Sequence, residues 1–366
     1  MSTASRYPAW LRANATYSGA VTALPTPTLR PVGAPGLVGM PDQFGRVARD
    51  LRVSVTDRCN LRCTYCMPAE GLPWLAKPEM LTDEELLRIV GVFVGLGVRQ
   101  VRLTGGEPLL RRSIVDVVAG IAALEPRPQI AMTTNGVGLE RVAGRLADAG
   151  LDRVNVSLDT IDAETFTQLT RRDRLTDVEK GMAAAAEAGL TPVKVNAVAM
   201  RGVNDEAVAD VLAWCLDRGY ELRFIEQMPL DAQHAWDRES MVSAEEVRER
   251  LSERYTLTPL SSGERGSAPA ERFLVDGGPA TVGIIASVSE PFCAACDRTR
   301  LTADGQVRNC LFSEVETDLR GPLREGASDE ELAGLIQGEM WRKKRGHGIG
   351  DPGFRQPDRP MSSIGG

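Results

Sequence analysis

Histidine is nearly missing from this chain: His234 and His347 are the only two in 366 residues. That scarcity argues against His-ligated zinc, haem ligation and a Ser-His-Asp catalytic set, because each needs imidazole at a defined place. Lysine is scarce as well. Only five of the 43 basic residues are Lys and 38 are Arg, so an arbitrary arginine says little, whereas a lysine inside a buried-looking strand says more. No run approaches the roughly 18–20 consecutive apolar residues of a membrane span. The N-terminus lacks the charged-then-apolar pattern of a secretory leader, which points to the cytoplasm and to reduced thiols. A net charge of −7 gives no reason to expect nucleic acid as a partner. Local arginines can still meet a small anion.

Cysteine is infrequent but concentrated. Six of the seven form two triplets, Cys59-x₃-Cys63-x₂-Cys66 and Cys293-x₂-Cys296-x₁₃-Cys310. Each stops one thiolate short of closing an iron–sulfur cube, which electron-transfer proteins usually hold with four. Three thiolates leave one iron open to a small molecule. A zinc knuckle or a redox dithiol competes with this reading, but zinc usually takes a fourth Cys or His at knuckle spacing and none is near. Neither histidine adjoins a triplet, so both are read as solvated or structural. The seventh, Cys215, shares the apolar face of a helical stretch with Val208, Val211 and Leu212 and reads as an inert buried thiol.

Residues 1–50 are rich in Pro, Gly, Ala and Thr, as in Leu24–Pro35, and read as a mobile or loosely packed extension. From residue 51 short β-rich runs alternate with helical ones. The runs are Leu51–Thr56, Gln100–Thr104, Gln129–Thr134, Arg153–Leu158, Thr191–Met200 and Glu221–Gln227. The helical stretches lie around 83–95, 112–124, 139–149, 176–189, 205–218 and 243–254. Thr82 with Glu85, Thr176 with Glu179 and Ser243 with Glu246 have capping-box spacing. Six β–α units over 51–254 predict an α/β fold, most simply a partial (β/α)₆ barrel of TIM type. A doubly wound open sheet has the same spacing. Either way ligands gather at the C-terminal strand ends. Residues 255–366 break the pattern and read as a cap carrying the second triplet, with a helix near 329–344 and a Gly/Pro-rich tail.

Other positions invite chemistry. Arg102–Pro108 places two glycines after the second strand, either to admit a ligand or as a plain turn. Lys194, flanked by Val in a central strand, would carry a large desolvation cost without an anionic partner; the alternative is a strand-edge lysine reaching solvent.

The C-x₃-C-x₂-C run resembles the signature of the radical S-adenosylmethionine superfamily. With the second triplet, the Thr-Gly-Gly-Glu-Pro run and the terminal Gly365-Gly366, residues 50–366 resemble the GTP 3′,8-cyclase family. The resemblance implies two [4Fe–4S] clusters, one on Cys59, Cys63 and Cys66 and one on Cys293, Cys296 and Cys310. It further implies S-adenosylmethionine held by Tyr65, Gly106, Ser157 and Met228. GTP would be met by Arg52, Arg102, Thr133, Lys194, Arg298, Thr299 and Arg300, with Thr134 as the alternative to Thr133. The double-Gly tail would reach into the active site. Implied partners are GTP as substrate, a flavodoxin- or ferredoxin-type electron donor and the next pathway enzyme, cyclic pyranopterin monophosphate synthase, with room for a homodimer. Two rival readings are a peptide-modifying maturase of the same superfamily and a non-catalytic iron–sulfur or zinc module.

Overall fold

The computed structural model describes residues 39–261 and 265–365. Six parallel strands run side by side in chain order: β1 (Asp50–Ser54), β2 (Gln100–Thr104), β3 (Gln129–Thr134), β4 (Arg153–Ser157), β5 (Lys194–Val198) and β6 (Glu221–Ile225). The helices between them are α1 (Asp83–Gly95), α2 (Ile114–Ala122), α3 (Ala143–Asp148), α4 (Ala163–Thr170), α5 (Leu175–Glu187) and α6 (Val208–Asp217), and α7 (Ala244–Ser252) follows β6.

Strand alternation sorts the side chains. Leu51, Val53, Val101 and Leu103 are fully buried in the apolar core. Their neighbours Arg52, Ser54, Arg102 and Thr104 point to the opposite face, with Arg52 in register with Arg102. Helix α1 shows what holds the outer layer. Thr82 and Glu85 close its capping box, and Leu86, Ile89, Val90 and Phe93 are buried. Each such burial contributes about 1.5–3 kcal/mol, and Phe93→Ala would cost about 3–5 kcal/mol.

Two capping expectations turn out differently. Ser243 and Glu246 close their box, but Thr176 and Glu179 do not. Burial of Leu175 draws the start of α5 one residue earlier, so Thr176 lies inside the first turn and cannot cap it. Helix α4 was not anticipated; it is capped by Asp162, which accepts from the Thr165 amide.

The C-terminal region is built into the sheet as well as covering it. It supplies β7 (Leu257–Pro259), β8 (Glu271–Val275), β9 (Thr281–Ile285), β10 (Arg298–Leu301), β11 (Gln306–Arg308) and β12 (Thr317–Asp318). Strand β9 pairs parallel with β6, and β10 pairs parallel with β1. Beyond them β8–β7 and β11–β12 continue antiparallel, giving a twelve-stranded open sheet. The second Cys triplet is thereby tied to the edge of β1, beside the first. Helices α8 (Arg320–Arg324), α9 (Asp329–Trp341) and α10 (Met361–Ile364) complete the region.

Residues 39–49 of the leader pack on the fold. Met40 and Ala48 are buried, and the Arg46 guanidinium pairs with Asp42 and donates to the carbonyls of Cys293, Lys344 and Arg345. Among the described residues no helix is long and apolar enough to cross a membrane.

Candidate active site

The first Cys triplet occupies the loop after β1, at the C-terminal end of the strand. Backbone bonds pin this loop: the Arg62 and Thr64 amides donate to the Thr170 and Leu169 carbonyls at the end of α4. Arg171 donates to the carbonyls of Arg62 and Met67. The two glycines after β2 serve the same loop. A β-carbon on Gly106 would collide with the carbonyls of Arg58 and Asp57, and Gly105, at φ +137°, presses against Thr56. The Gly106 amide donates to the Thr56 carbonyl at 2.8 Å and the Glu107 amide to that of Arg58 at 2.7 Å. The glycines thus let the cysteine loop lie against β2.

Cys59, Cys63 and Cys66 line a cavity of about 170 Å³ together with Gly106, Ser157 and Tyr65. Burial pushes all three thiols above their ordinary range, Cys66 to about 12, and repulsion among the sulfurs adds to the rise of Cys63 and Cys66. Such thiols ionise only against a strong positive charge. Among the described residues no three His, Cys, Asp or Glu side chains close to the size of a single metal ion.

Two carboxyl groups that the sequence reading missed stand behind this cavity. Glu107 is fully buried and accepts from the Thr134 hydroxyl at 2.7 Å and from the Asn135 and Leu109 amides. Burial raises it to about 7 despite those donors. Asp159 accepts from the Tyr65 hydroxyl at 2.8 Å and the Val198 amide at 2.9 Å, and burial raises it to about 6. Glu107 could have been found from its place directly after the Gly-Gly pair.

A second cavity, of about 150 Å³, is bounded by Cys293, Cys296 and Cys310 and by the arginines at 52, 102, 223, 298 and 300. Burial lowers Arg52, Arg102, Arg223 and Arg300, the last to about 9, and repulsion from neighbouring arginines adds to it. Among the described residues only two acids pair with the five, both at the long end of an ion pair: Asp50 is 3.8 Å from Arg52, and Glu221 is 3.8 Å from Arg223. Arg298 lies over the Phe292 ring, 4.6 Å from its centroid. So many guanidinium groups in one cavity are destabilising unless an anion joins them.

Buried polar atoms without partners gather on the same face. They include Arg52 Nε, Arg102 Nε, Thr133 Oγ1, Asn196 Oδ1 and both amide atoms of Asn155, with Ser54, Thr104 and Ser362 nearer the first triplet. Buried polar groups are nearly always hydrogen-bonded, so a concentration of orphans marks where a ligand sits.

The tail lies between the two cavities, and Met361 and Thr133 border both. Ser362 donates its amide to the Cys66 sulfur, and the Gly365 carbonyl accepts from Arg300 Nε at 3.3 Å. Arg359 anchors the segment through Asp304 and Glu316, each at 2.7 Å. Gly366 lies outside the described residues.

Other sequence-predicted residues sort as follows. Thr133 faces the cavities, whereas Thr134 is committed to Glu107. Met228 borders the second cavity, not the first. Lys194 has its anionic partner within the chain, Glu221 at 3.0 Å, and does not line either cavity. Thr299 is buried between two cavity-facing arginines, and its hydroxyl donates to the Arg308 carbonyl at 3.4 Å; alternation turns it to the other face. Cys215 is buried in α6 and pushed to about 12.

Three residues were not foreseen at the second triplet. Arg223 comes from β6. His347 donates its backbone amide to the Cys293 sulfur and places its ring on the cavity wall. Lys343 is buried, with Nζ 3.4 Å from the Cys296 sulfur and 2.7 Å from the Arg298 carbonyl. Burial alone would raise the Cys296 thiol; Arg298 and Lys343 outweigh it and bring the thiol down to about 7.

The Radical SAM superfamily profile matches residues 53–215, and the Molybdenum Cofactor Synthesis C profile matches residues 220–349. A GTP 3′,8-cyclase of Streptomyces coelicolor is 64% identical over 89% of this chain and 96% of its own length. The chain belongs to the GTP 3′,8-cyclase family. A second GTP 3′,8-cyclase, from a Mycobacterium species, is 59% identical over 94% of the chain and 99% of its own. Among solved structures, Streptococcus suis SuiB bound to S-adenosylmethionine superposes with a TM-score of 0.55 at 14% identity, covering 79% of this chain and 68% of that one. Native anSMEcpe with bound AdoMet gives 0.54, also at 14% identity, covering 82% of each chain. These two likenesses concern the fold alone. They show that this GTP 3′,8-cyclase family member shares its α/β fold with both proteins.

Proposed function

We propose that this chain is a GTP 3′,8-cyclase, which converts GTP to (8S)-3′,8-cyclo-7,8-dihydroguanosine 5′-triphosphate in the first step of molybdenum cofactor biosynthesis. The observation that carries the reading is the adjacency of the two cavities. Each is bordered by three thiols, they share Thr133 and Met361, and buried arginines crowd the second. Residues from β1, β2, β3, β5, β6, β9 and β10 reach that one cavity, which supports a sheet curved as a partial (β/α)₆ barrel with its concave face toward the ligand.

The residues fit an iron–sulfur cube at each triplet. The first set offers buried thiols raised above their ordinary range, which ionise only against a positive partner, and the second brings three cysteines to one cavity wall. A cube held by Cys59, Cys63 and Cys66 would supply an electron to S-adenosylmethionine, whose C–S bond cleavage gives methionine and a 5′-deoxyadenosyl radical. The chain's own residues supply position. Gly106, Ser157 and Tyr65 border the space for the cofactor, and the loop bonds of Arg62 and Arg171 hold the thiols there. Arg52, Arg102, Arg223, Arg298 and Arg300 would meet the roughly four negative charges of a triphosphate. Thr104, Thr133 and Asn196 carry unpaired polar atoms on the cavity walls that a ribose would meet. The guanine edge would face Cys293, Cys296 and Cys310, which brings the 3′ hydrogen toward the first cavity. Transfer of that hydrogen atom to the 5′-deoxyadenosyl radical, giving 5′-deoxyadenosine, would leave carbon 3′ free to bond to carbon 8, and one electron from the external reductant with one proton would complete the product.

Replacing Cys310 by Ser tests the division of labour. Anaerobic protein given S-adenosylmethionine, dithionite and GTP should still release 5′-deoxyadenosine while the cyclic product is lost. Cyclisation that persists at the parent rate would refute a role for the second triplet. Iron analysis of the parent protein separates this reading from a zinc module, with about eight irons per chain expected.

A further inference from the structure

On the outer flank of the first Cys loop lies a groove of about 470 Å³, built from the turns that follow β2 and β3. It is larger than either cysteine cavity, yet none of the site residues above lines it. Its rim carries Arg112, Arg141 and Arg145, all exposed and without an ion pair among the described residues. Two further arginines are committed: Arg111 to Asp83 and to the carbonyls of Val55 and Leu81, and Arg174 to Asp177. Glu140 is the remaining acid. In the groove Leu110 is 43% exposed, one of only three large apolar side chains so exposed among the described residues.

We propose that this groove is the docking surface for a small acidic one-electron carrier protein of flavodoxin type. The chain as a whole is acidic, with net charge −7, so a patch with three unpaired arginines attracts an acidic protein to this face while the rest of the surface repels it. Exposed arginines around an exposed leucine have the make-up of a protein interface, polar at the rim and apolar in the middle. A small anion would instead need buried donors, and no unpartnered buried side-chain atom lies on the groove.

Position completes the argument. Asn60 forms part of the groove, and its Oδ1 accepts from Asn135 Nδ2 at 2.7 Å; the same amide reaches the Cys59 sulfur at 3.9 Å. The groove is thus one residue away from the first triplet. The groove shares no lining residue with the arginine-lined cavity or with the cavity of the first triplet. A carrier seated in the groove passes one electron to the group held by Cys59, Cys63 and Cys66 without crossing the substrate space. The carrier is oxidised by one electron and the group reduced by one, and no covalent bond forms or breaks.

The inference rests on the assignment of the first triplet, so its test has to separate the two. In an Arg112→Glu/Arg145→Glu double variant, the affinity for purified flavodoxin, read by fluorescence anisotropy with or without the iron–sulfur groups, should fall at least tenfold. With flavodoxin hydroquinone as the reductant, 5′-deoxyadenosine formation should fall by a similar factor; with dithionite it should stay at the parent level. The charge-neutralising Arg112→Gln/Arg141→Gln variant should show a smaller loss in the same sense. Unchanged affinity and an unchanged flavodoxin-driven rate would overturn the groove assignment, as would an equal fall with both reductants. Absence of dithionite-driven cleavage in the parent protein would instead overturn the reading of the triplet.

Discussion

Gly365 lies against Thr104 so closely that a β-carbon built on it would collide with the Thr104 hydroxyl, and Ser54 Oγ would be 2.9 Å away. The residue also has φ +75°, a conformation that disfavours side chains by about 1–2 kcal/mol. Gly365→Ala therefore has two reasons to lift the tail from β1 and β2. Formation of the cyclic product should drop by about tenfold or more, while iron content and the melting temperature stay near the parent values. If activity is unchanged, the tail does not act from this position.

The arginine cavity sets stability against binding. Arg102 is held well below its usual range by burial, and Arg52 adds repulsion. Replacing Arg102 by Leu removes a desolvated charge from a cluster of like charges. Ligand-free protein should gain about 1–2 kcal/mol, a rise of roughly 2 °C or more in melting temperature. The same variant should bind GTP at least about tenfold more weakly, because a charge-assisted contact is lost. A simultaneous fall in stability and unchanged GTP affinity would show that Arg102 is structural.

Glu107 makes the metal-free protein sensitive to alkali. Burial raises its carboxyl from 4.5 to about 7, so the folded state binds this proton more tightly than the unfolded one. The resulting stabilisation is fully present below about pH 4.5 and is lost as pH rises through about 7. Its size is on the order of 3 kcal/mol. Asp159, raised to about 6, acts in the same sense over a lower window. Thermal melts of metal-free protein should show stability declining from pH 5 to pH 8. Glu107→Gln should be less stable throughout, since its amide would face donors from Thr134 and Asn135, but its decline should be shallower.

Local pattern made the strands legible. Leu51 and Val53 alternate with Arg52 and Ser54, and the same period recurs in β2 and β3. The six parallel strands and both thiol triplets could be written down from that period and from cysteine spacing. Pairing between distant segments leaves no such trace: β10 joins β1 across nearly 250 residues, so the meeting of Arg300 with Arg52 was not visible. Lys343 stands in an Arg-Lys-Lys-Arg run at the end of the helix expected near 329–344, and only tertiary packing buries it. Thr299 shows the opposite failure. The family resemblance nominated it together with Arg298 and Arg300, whereas strand alternation in β10 turns its hydroxyl to the Arg308 carbonyl. Gly106 was legible as a glycine that must admit something, but what it admits is the cysteine loop itself.

Lys343 offers a test of the second triplet that does not depend on turnover. Its ammonium donates to the Cys296 sulfur at 3.4 Å and to the carbonyls of Cys296 and Arg298 at 3.3 and 2.7 Å. Hydrogen bonds and positive charge at a ligand sulfur favour the reduced form of an iron–sulfur group, because reduction adds negative charge there. Lys343→Met keeps the length of the side chain and removes both effects. If the second triplet holds the proposed iron–sulfur group, its midpoint potential, followed by electron paramagnetic resonance in a redox titration, should move to a more negative value, and that of a group at the first triplet should not move. Iron and sulfide content should remain at the parent level. If Lys343 served only to clamp the backbone between Cys296 and Arg298, the opposite pattern would appear: iron would be lost from the second triplet, and whatever remained bound would titrate at the parent potential.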